Sequence, residues 1–302
     1  MYIFSQSLVR KSVKSGDGAR LMEVAGTVTT KLLSGNNSLL LGMASQLLLE
    51  TADAMLEVRL EVNEKNLNEF YKMDEMFANG LDALPARDAI QDKQRCKYLA
   101  KALRWTDLMG TVRFGELKMH SALASAMWNA GDRAESISHS AFAEEPEVIN
   151  ERLSSVDKKG EKDLLLCRAV LTFLTAENLR DANALSDAFI KSDGRNFEKL
   201  ATEFFAKEKK IKSFVIFCTS VLGIVEREQK AGALYTWLLG KFQGYLQRFP
   251  ELLPFTSRIG QIYFNIQPPP SMLKQMESMM AMMGGMGGMG GLPPGMMMPG
   301  GF

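Results

Sequence analysis

Proline placement limits the fold of this chain more than any other feature of its sequence. Four of the 10 prolines, Pro85, Pro146, Pro250 and Pro254, serve the first 267 residues, and the other six crowd into the last 35. Proline lacks a backbone donor and clashes with the preceding turn, so it ends helices and interrupts central strands. The first 267 residues are therefore free to run as long helices, and the last 35 are not. Strand signals are nearly absent. No stretch sustains period-two alternation, and no Asn-Gly turn sits between two alternating runs.

Helical spacing fills the proline-poor stretch. Leu39, Leu40, Met43, Leu47, Leu48 and Ala52 follow the i, i+3/i+4, i+7 rule, and Gly35-Asn36-Asn37-Ser38 before them offers an N-cap. Leu67, Phe70, Tyr71, Met73, Met76 and Phe77 give the next helix, and Tyr98, Leu99, Ala102, Leu103 and Trp105 another. Leu164 to Leu174 and Phe214 to Val225 are apolar nearly all round, which predicts helices covered on more than one side. The run Phe214 to Val225 is about half the length a bilayer span needs, so it reads as a core helix. About fourteen helices with short links are expected, which makes neighbours antiparallel.

One unit, Phe114 to Pro146, looks like a repeat. Leu123 and Ala124 sit on its first helix, Gly131-Asp132 makes the turn, and Ser136 and Ala143 mark the close-packed face of the second. Small residues at these spacings let two helices approach as in tetratricopeptide hairpins of about 34 residues. Other hairpins lack the signature. The expected fold is all-α: a degenerate, tetratricopeptide-like α-solenoid of stacked antiparallel helix hairpins over residues 1–267. Residues 268–302 are expected to be a flexible, disordered Met/Gly/Pro-rich tail, with a short helix at 271–283 capped by Ser271. Eleven of the 20 methionines lie in that tail.

Charge and reactive residues narrow the function. The net charge is +1, from 36 basic and 35 acidic residues, so nothing global draws the chain to nucleic acid or an anionic membrane. Cys96, Cys167 and Cys218 are far apart, form no CxxC pair, and read as small buried hydrophobes in a reducing compartment. No secretory signal pattern or membrane-spanning segment is read, so the expected location is the cytosol. His120 and His139 are the only histidines and fall on the two helices of one hairpin, where they can approach each other. Two ligands without a third make no zinc site. With no nucleophile elbow and no phosphate-binding loop, the chain reads as a non-enzyme without cofactor or metal.

What remains are surfaces. Arg10, Lys11, Lys14 and Arg20 form a basic cluster suited to an acidic partner. Lys207, Lys209, Lys210 and Lys212 form a second one that suits a solvated helix end. Asp74, Glu75 and Asp82 are an acidic counterpart or an exposed helix flank. Phe214, Phe217, Tyr235 and Trp237 are candidate anchors for a partner subunit or core residues, aromatics being common in both settings. Met272, Met276, Met279, Met280 and Met283 fall on one helical stripe, either an unstructured tether or an adaptable apolar surface.

Three ordered segments carry a resemblance. They are Arg95 to Trp105 (a basic-aliphatic helix ending in Leu103-Arg104-Trp105), His120 to Trp128 followed by Glu135, Ser136 and His139, and Arg258 to Phe264 followed by Pro268-Pro269. Gly35 to Ser38 leading to Leu47-Leu48-Leu49-Glu50 is a weaker fourth. In this order they resemble the Golgi-to-ER traffic protein 4 family, the solenoid subunit of the guided-entry complex for tail-anchored membrane proteins. The resemblance implies a non-catalytic adaptor in post-translational delivery of tail-anchored proteins to the endoplasmic reticulum. Its N-terminal part docks a targeting ATPase, its C-terminal part holds a ubiquitin-like partner subunit, and an upstream co-chaperone supplies clients. Against the family pattern the chain starts near the second helix, which predicts that part of the ATPase-docking surface is missing or replaced. Two other readings stand beside it: a chaperone-like binder of hydrophobic segments through the Met stripe, and a helical-repeat scaffold of another complex.

Overall fold

The computed structural model describes residues 2–35, 37–86, 89–194, 202, 213–227 and 230–267. Among these it holds thirteen α-helices, one 3-10 turn and no strand. The helices are α1 (Tyr2–Ser15), α2 (Gly18–Leu33), α3 (Ser38–Glu57), α4 (Glu64–Asp82), α5 (Ala89–Met109), α6 (Leu117–Asn129) and α7 (Arg133–Phe142). They continue with α8 (Pro146–Ser154), α9 (Lys159–Thr175), α10 (Leu179–Asp193), α11 (Phe214–Arg227), α12 (Gly232–Leu246) and α13 (Leu253–Phe264). The expected α-solenoid is present.

Local chemistry starts these helices where the sequence provides a cap. Side chains of Asp17, Asn37, Asn63, Asp132 and Asn178 each accept a backbone N–H from the first turn that follows, at 2.8 to 3.3 Å. Those donors have no partner inside their own helix, which is why Asp and Asn recur there. Pro146 occupies the first turn of α8, where its missing N–H is no loss. Gly131 takes φ +87° in the tight α6–α7 turn, as its place in the repeat-like hairpin predicts.

Each helix packs on its neighbour, and many pack on the one two before. In the N-terminal half α1, α3 and α5 stack together with α2 and α4 beside them, and in the C-terminal half α7, α9 and α11 stack with α8 and α10 alongside. Two hydrophobic cores result. One runs through α1 to α6 around Phe70, Phe77, Tyr98 and Trp105. The other runs through α7 to α13 around Leu171, Phe173, Phe217 and Phe242. Helices α9 and α11 are apolar nearly all round because α9 is covered by α7, α8, α10, α11 and α13. Among the described residues one helix, α3, is long and apolar enough to cross a membrane, and half of its most apolar window is buried in the fold.

The loop entering α6 is sterically closed. Gly115 has φ +96°, and a Cβ there would lie 2.8 Å from Leu103 Cδ1, 2.9 Å from Thr106 Oγ1 and 3.2 Å from the Leu103 carbonyl. The Thr106 hydroxyl also accepts the Glu116 N–H at 3.1 Å, tying the loop to α5. Gly115→Ala combines a strained φ with clashes against the Leu103 and Thr106 side chains and is expected to cost about 3 kcal/mol. Urea unfolding measures this, and an unshifted midpoint would show that the loop has room to move.

Candidate protein-interaction surfaces

The N-terminal basic residues are all on the surface. Arg10, Lys11 and Lys14 are exposed on α1, whose Val9 and Ser12 face inward, and Arg20 is exposed in the first turn of α2. Gly16 and Asp17 join the two helices, with Gly16 at φ +65°. Beside them an open groove of about 1150 Å³ runs between α2 and α4. Arg20 and Lys31 line it from one side and Lys65 and Lys72 from the other, with Glu23 and Glu69 interspersed. Sequence reasoning missed this groove, since its two walls lie on helices separated by all of α3.

Asp74 is not part of an acidic surface. It is 5% exposed and accepts both Arg95 Nε at 2.9 Å and Arg95 Nη2 at 2.7 Å, with Tyr98 Oη donating to the same carboxylate at 2.6 Å. Burial opposes the Arg95 charge, but the bonds to Asp74 outweigh it and raise the guanidinium pKa. Burial, then the Asp74 charge, raises the Tyr98 phenol. The signal was available: Asp74 follows Phe70 by four residues and precedes Phe77 by three, on the inward face of α4.

The two hydrophobic cores meet at the α6–α7 hairpin, and the meeting is polar. Ser136 Oγ donates to the Ala124 carbonyl at 2.7 Å, the close approach its spacing predicts. His120 and His139 do come together, their Nδ1 atoms 2.8 Å apart, and His120 Nε2 lies 2.9 Å from the Phe114 carbonyl. A carbonyl only accepts, so neutral His120 carries its proton on Nε2, and its Nδ1 accepts a hydrogen bond from His139 Nδ1–H. Burial is the first cause that lowers both imidazole pKa values, to about 4 for His139, where His120 and Arg168 add to it. The Phe142 ring lies 5.2 Å from His120. Nearby, Arg152 reaches Ser136, Ser140 and Ser125 hydroxyls and sits over the Trp128 ring at 5.6 Å, without a carboxylate partner among the described residues. Arg168 joins α9 to α7 through Ser138 and Glu135.

Of the four aromatics considered as partner anchors, three are core residues. Phe214, Phe217 and Tyr235 are 6%, 0% and 0% exposed, whereas Trp237 is 48% exposed. Helix α12 turns Tyr235, Leu238, Phe242 and Leu246 inward at helical spacing, and Trp237 falls off that stripe. Tyr235 is held by a hydrogen bond to the Thr256 carbonyl at 2.8 Å and by stacking on Phe264. Lys207, Lys209, Lys210 and Lys212, and the stripe Met272, Met276, Met279, Met280 and Met283, lie outside the described residues.

No group of three or more His, Cys, Asp or Glu side chains that could hold a metal occurs among the described residues. Burial raises the Cys96 thiol to about 11 and Cys218 further, so neither offers a thiolate near neutral pH.

A helical, two-core chain with these surfaces has known counterparts. The model of the Golgi to ER traffic protein 4 family matches residues 22–286. The chain belongs to that family. Family members named Golgi to ER traffic protein 4 homolog include one from Oryzias latipes, 25% identical over 181 residues (58% of this chain and 52% of that protein). The homolog from Homo sapiens is 23% identical over 204 residues, covering 65% of this chain and 57% of its own length. The chain thus spans about half the length of the curated relatives it matches. The crystal structure of C. therm. Get4 superimposes with a TM-score of 0.60 at 19% identity, covering 92% of this chain and 88% of the other, and so shares the fold. The family match begins inside α2, so Arg10, Lys11, Lys14 and Arg20 all precede it, while residues 271–283 fall within it.

Proposed function

We propose that the chain is a non-catalytic adaptor that delivers tail-anchored proteins to the endoplasmic reticulum membrane, working in the cytosol. Its role is to bridge a targeting ATPase and a ubiquitin-like partner subunit, with clients arriving from an upstream co-chaperone. The family match over residues 22–286 carries this reading. An all-helical stack also supports it, since a solenoid presents long surfaces at separated ends.

The ATPase-docking surface in this reading is Arg10, Lys11, Lys14 and Arg20. All four are exposed, and a basic surface read by an acidic partner acts through screened charge. Pull-down from cytosol at low salt should recover an ATPase and a small ubiquitin-like protein. Recovery of neither would sink the proposal. Reversing Arg10, Lys11 and Lys14 to Glu should weaken ATPase binding by about tenfold at low salt, with the difference shrinking as added salt shortens the screening length. An affinity left unchanged by the reversal across salt would place the docking surface elsewhere.

A further inference from the structure

Three arginines among the described residues are not exposed: Arg95, Arg152 and Arg168. Two of them hold a carboxylate, Arg95 through Asp74 and Arg168 through Glu135. Arg152, in the last turn of α8, holds none among the described residues. Its Nη1 donates to the Ser136 and Ser140 hydroxyls, and its Nη2 donates to Ser125 Oγ at 3.1 Å. Glu145 and Glu151 are near enough to favour the charge, but neither is bonded to it. Burial is the larger influence and lowers the guanidinium pKa. A hydroxyl carries no charge, so this half-buried cation is hydrogen-bonded without being neutralised, whereas buried charges are normally paired.

The bonds leave part of the guanidinium unused. Arginine has five N–H groups, and the serines take three of them. The Nε–H and one Nη2–H remain. Nε has no acceptor among the described residues and is not one of the unpartnered polar atoms sealed from solvent. Nε and Nη2 form the edge with which Arg95 grips both oxygens of Asp74, at 2.9 and 2.7 Å.

Trp128 adds an apolar wall. Its ring centroid lies 5.6 Å from the Arg152 guanidinium carbon and 5.6 Å from that of Arg133, whose charge Glu161 already takes at 2.9 Å. The indole is half-buried against the C-terminal core, and its N–H has no acceptor among the described residues. Trp and Arg are the side chains that most often anchor a protein partner.

We propose that Arg152 and Trp128 receive an acidic segment of a protein partner, one carboxylate taking the open guanidinium edge and an adjacent apolar side chain lying on the indole. A carboxylate fits the Nε/Nη2 fork in shape and supplies the charge that the three serines lack. The serines also hold the guanidinium in place beforehand, so little side-chain freedom is lost on binding. The site is built from α6, α7 and α8, whereas Arg10, Lys11, Lys14 and Arg20 lie on α1 and α2. It therefore stands whether or not those four residues dock an ATPase.

Nuclear magnetic resonance of the full chain tests this. The probe is a peptide of alternating Leu and Glu, with a Leu–Gln peptide of equal length as the uncharged comparison and inorganic phosphate as a third titrant. The Leu–Glu peptide should shift the Arg152 Nε–H and Trp128 indole signals saturably, while the indole of the fully buried Trp105 stays in place. Trp128→Phe assigns the indole. Arg152→Lys keeps the charge but loses the fork, and should weaken the peptide by about tenfold. Arg133→Gln removes a guanidinium that is already paired, and should change the affinity by less than about twofold. If Arg152→Lys fails to fold, the shifts in the parent chain still decide. Equal shifts with the Leu–Gln peptide would make the contact purely apolar, and equal shifts with phosphate would make it a simple anion site. An Arg152 Nε–H signal unmoved by the Leu–Glu peptide, or equal affinity in a folded Arg152→Lys chain, would leave Arg152 a structural tie only. Each of these results overturns the proposal.

Discussion

Asp74→Ala is expected to lose about 3–5 kcal/mol of stability, because it strands Arg95 inside the N-terminal core. Arg95 is 8% exposed and has its guanidinium fork on Asp74, and Tyr98 donates to the same carboxylate. Removing the carboxylate leaves one charge and one hydroxyl without an acceptor where water does not reach. A domain's whole stability is about 5–15 kcal/mol, so this one residue commands a large share of it. The pair is not itself a large source of stability, because both ions were taken out of water to form it. Asp74→Leu with Arg95→Met should therefore recover most of the loss. Urea unfolding followed by circular dichroism distinguishes the cases. A single-variant loss below about 1 kcal/mol, or a double variant no better than the single, would contradict the assignment of a desolvated pair.

Lowering the pH is expected to loosen the α6–α7 hairpin before the carboxylates titrate. His120 and His139 both have pKa values below the ordinary 6.5, with His139 at about 4. The unfolded chain therefore binds protons that the folded chain refuses. The stabilisation is complete above 6.5 and is lost as the pH falls from there toward 4. Each proton taken up only on unfolding gives a slope of about 1.4 kcal/mol per pH unit inside that window. A proton on His120 Nδ1 also faces the His139 donor, so that contact survives only if His139 changes tautomer. Urea midpoints between pH 7.5 and 5 measure the slope, and His139→Gln should flatten it. Equal slopes in the parent and the His139→Gln chain would move the proton uptake to other groups.

The parts legible in the sequence were those where one physical rule acts alone. Proline absence and helical spacing specify the helices, and Asn37 and Asp132 mark where two of them start. Ser136 announces the close hairpin because only a small side chain fits against the Ala124 carbonyl. The two histidines could be placed on facing helices, but their tautomers needed the Phe114 carbonyl, which is backbone in a loop. Aromatics misled as candidate contacts because packing and recognition use the same side chains. Tyr235 shares a helical stripe with Leu238, Phe242 and Leu246, and that period assigns it to the core. Arg152 was not legible at all, since its three serine partners come from two different helices and carry no charge pattern.

The polar seam between the two cores has a geometric consequence. Apolar contacts have no preferred direction, so a core sets how far apart helices sit and little about their rotation. Hydrogen bonds weaken steeply when bent. The Ser136, His120–His139 and Arg152–Ser125 contacts therefore act as an angular gauge, setting the twist of one half of the stack against the other. The span and relative facing of the two ends are decided midway along the chain, at residues that touch neither end.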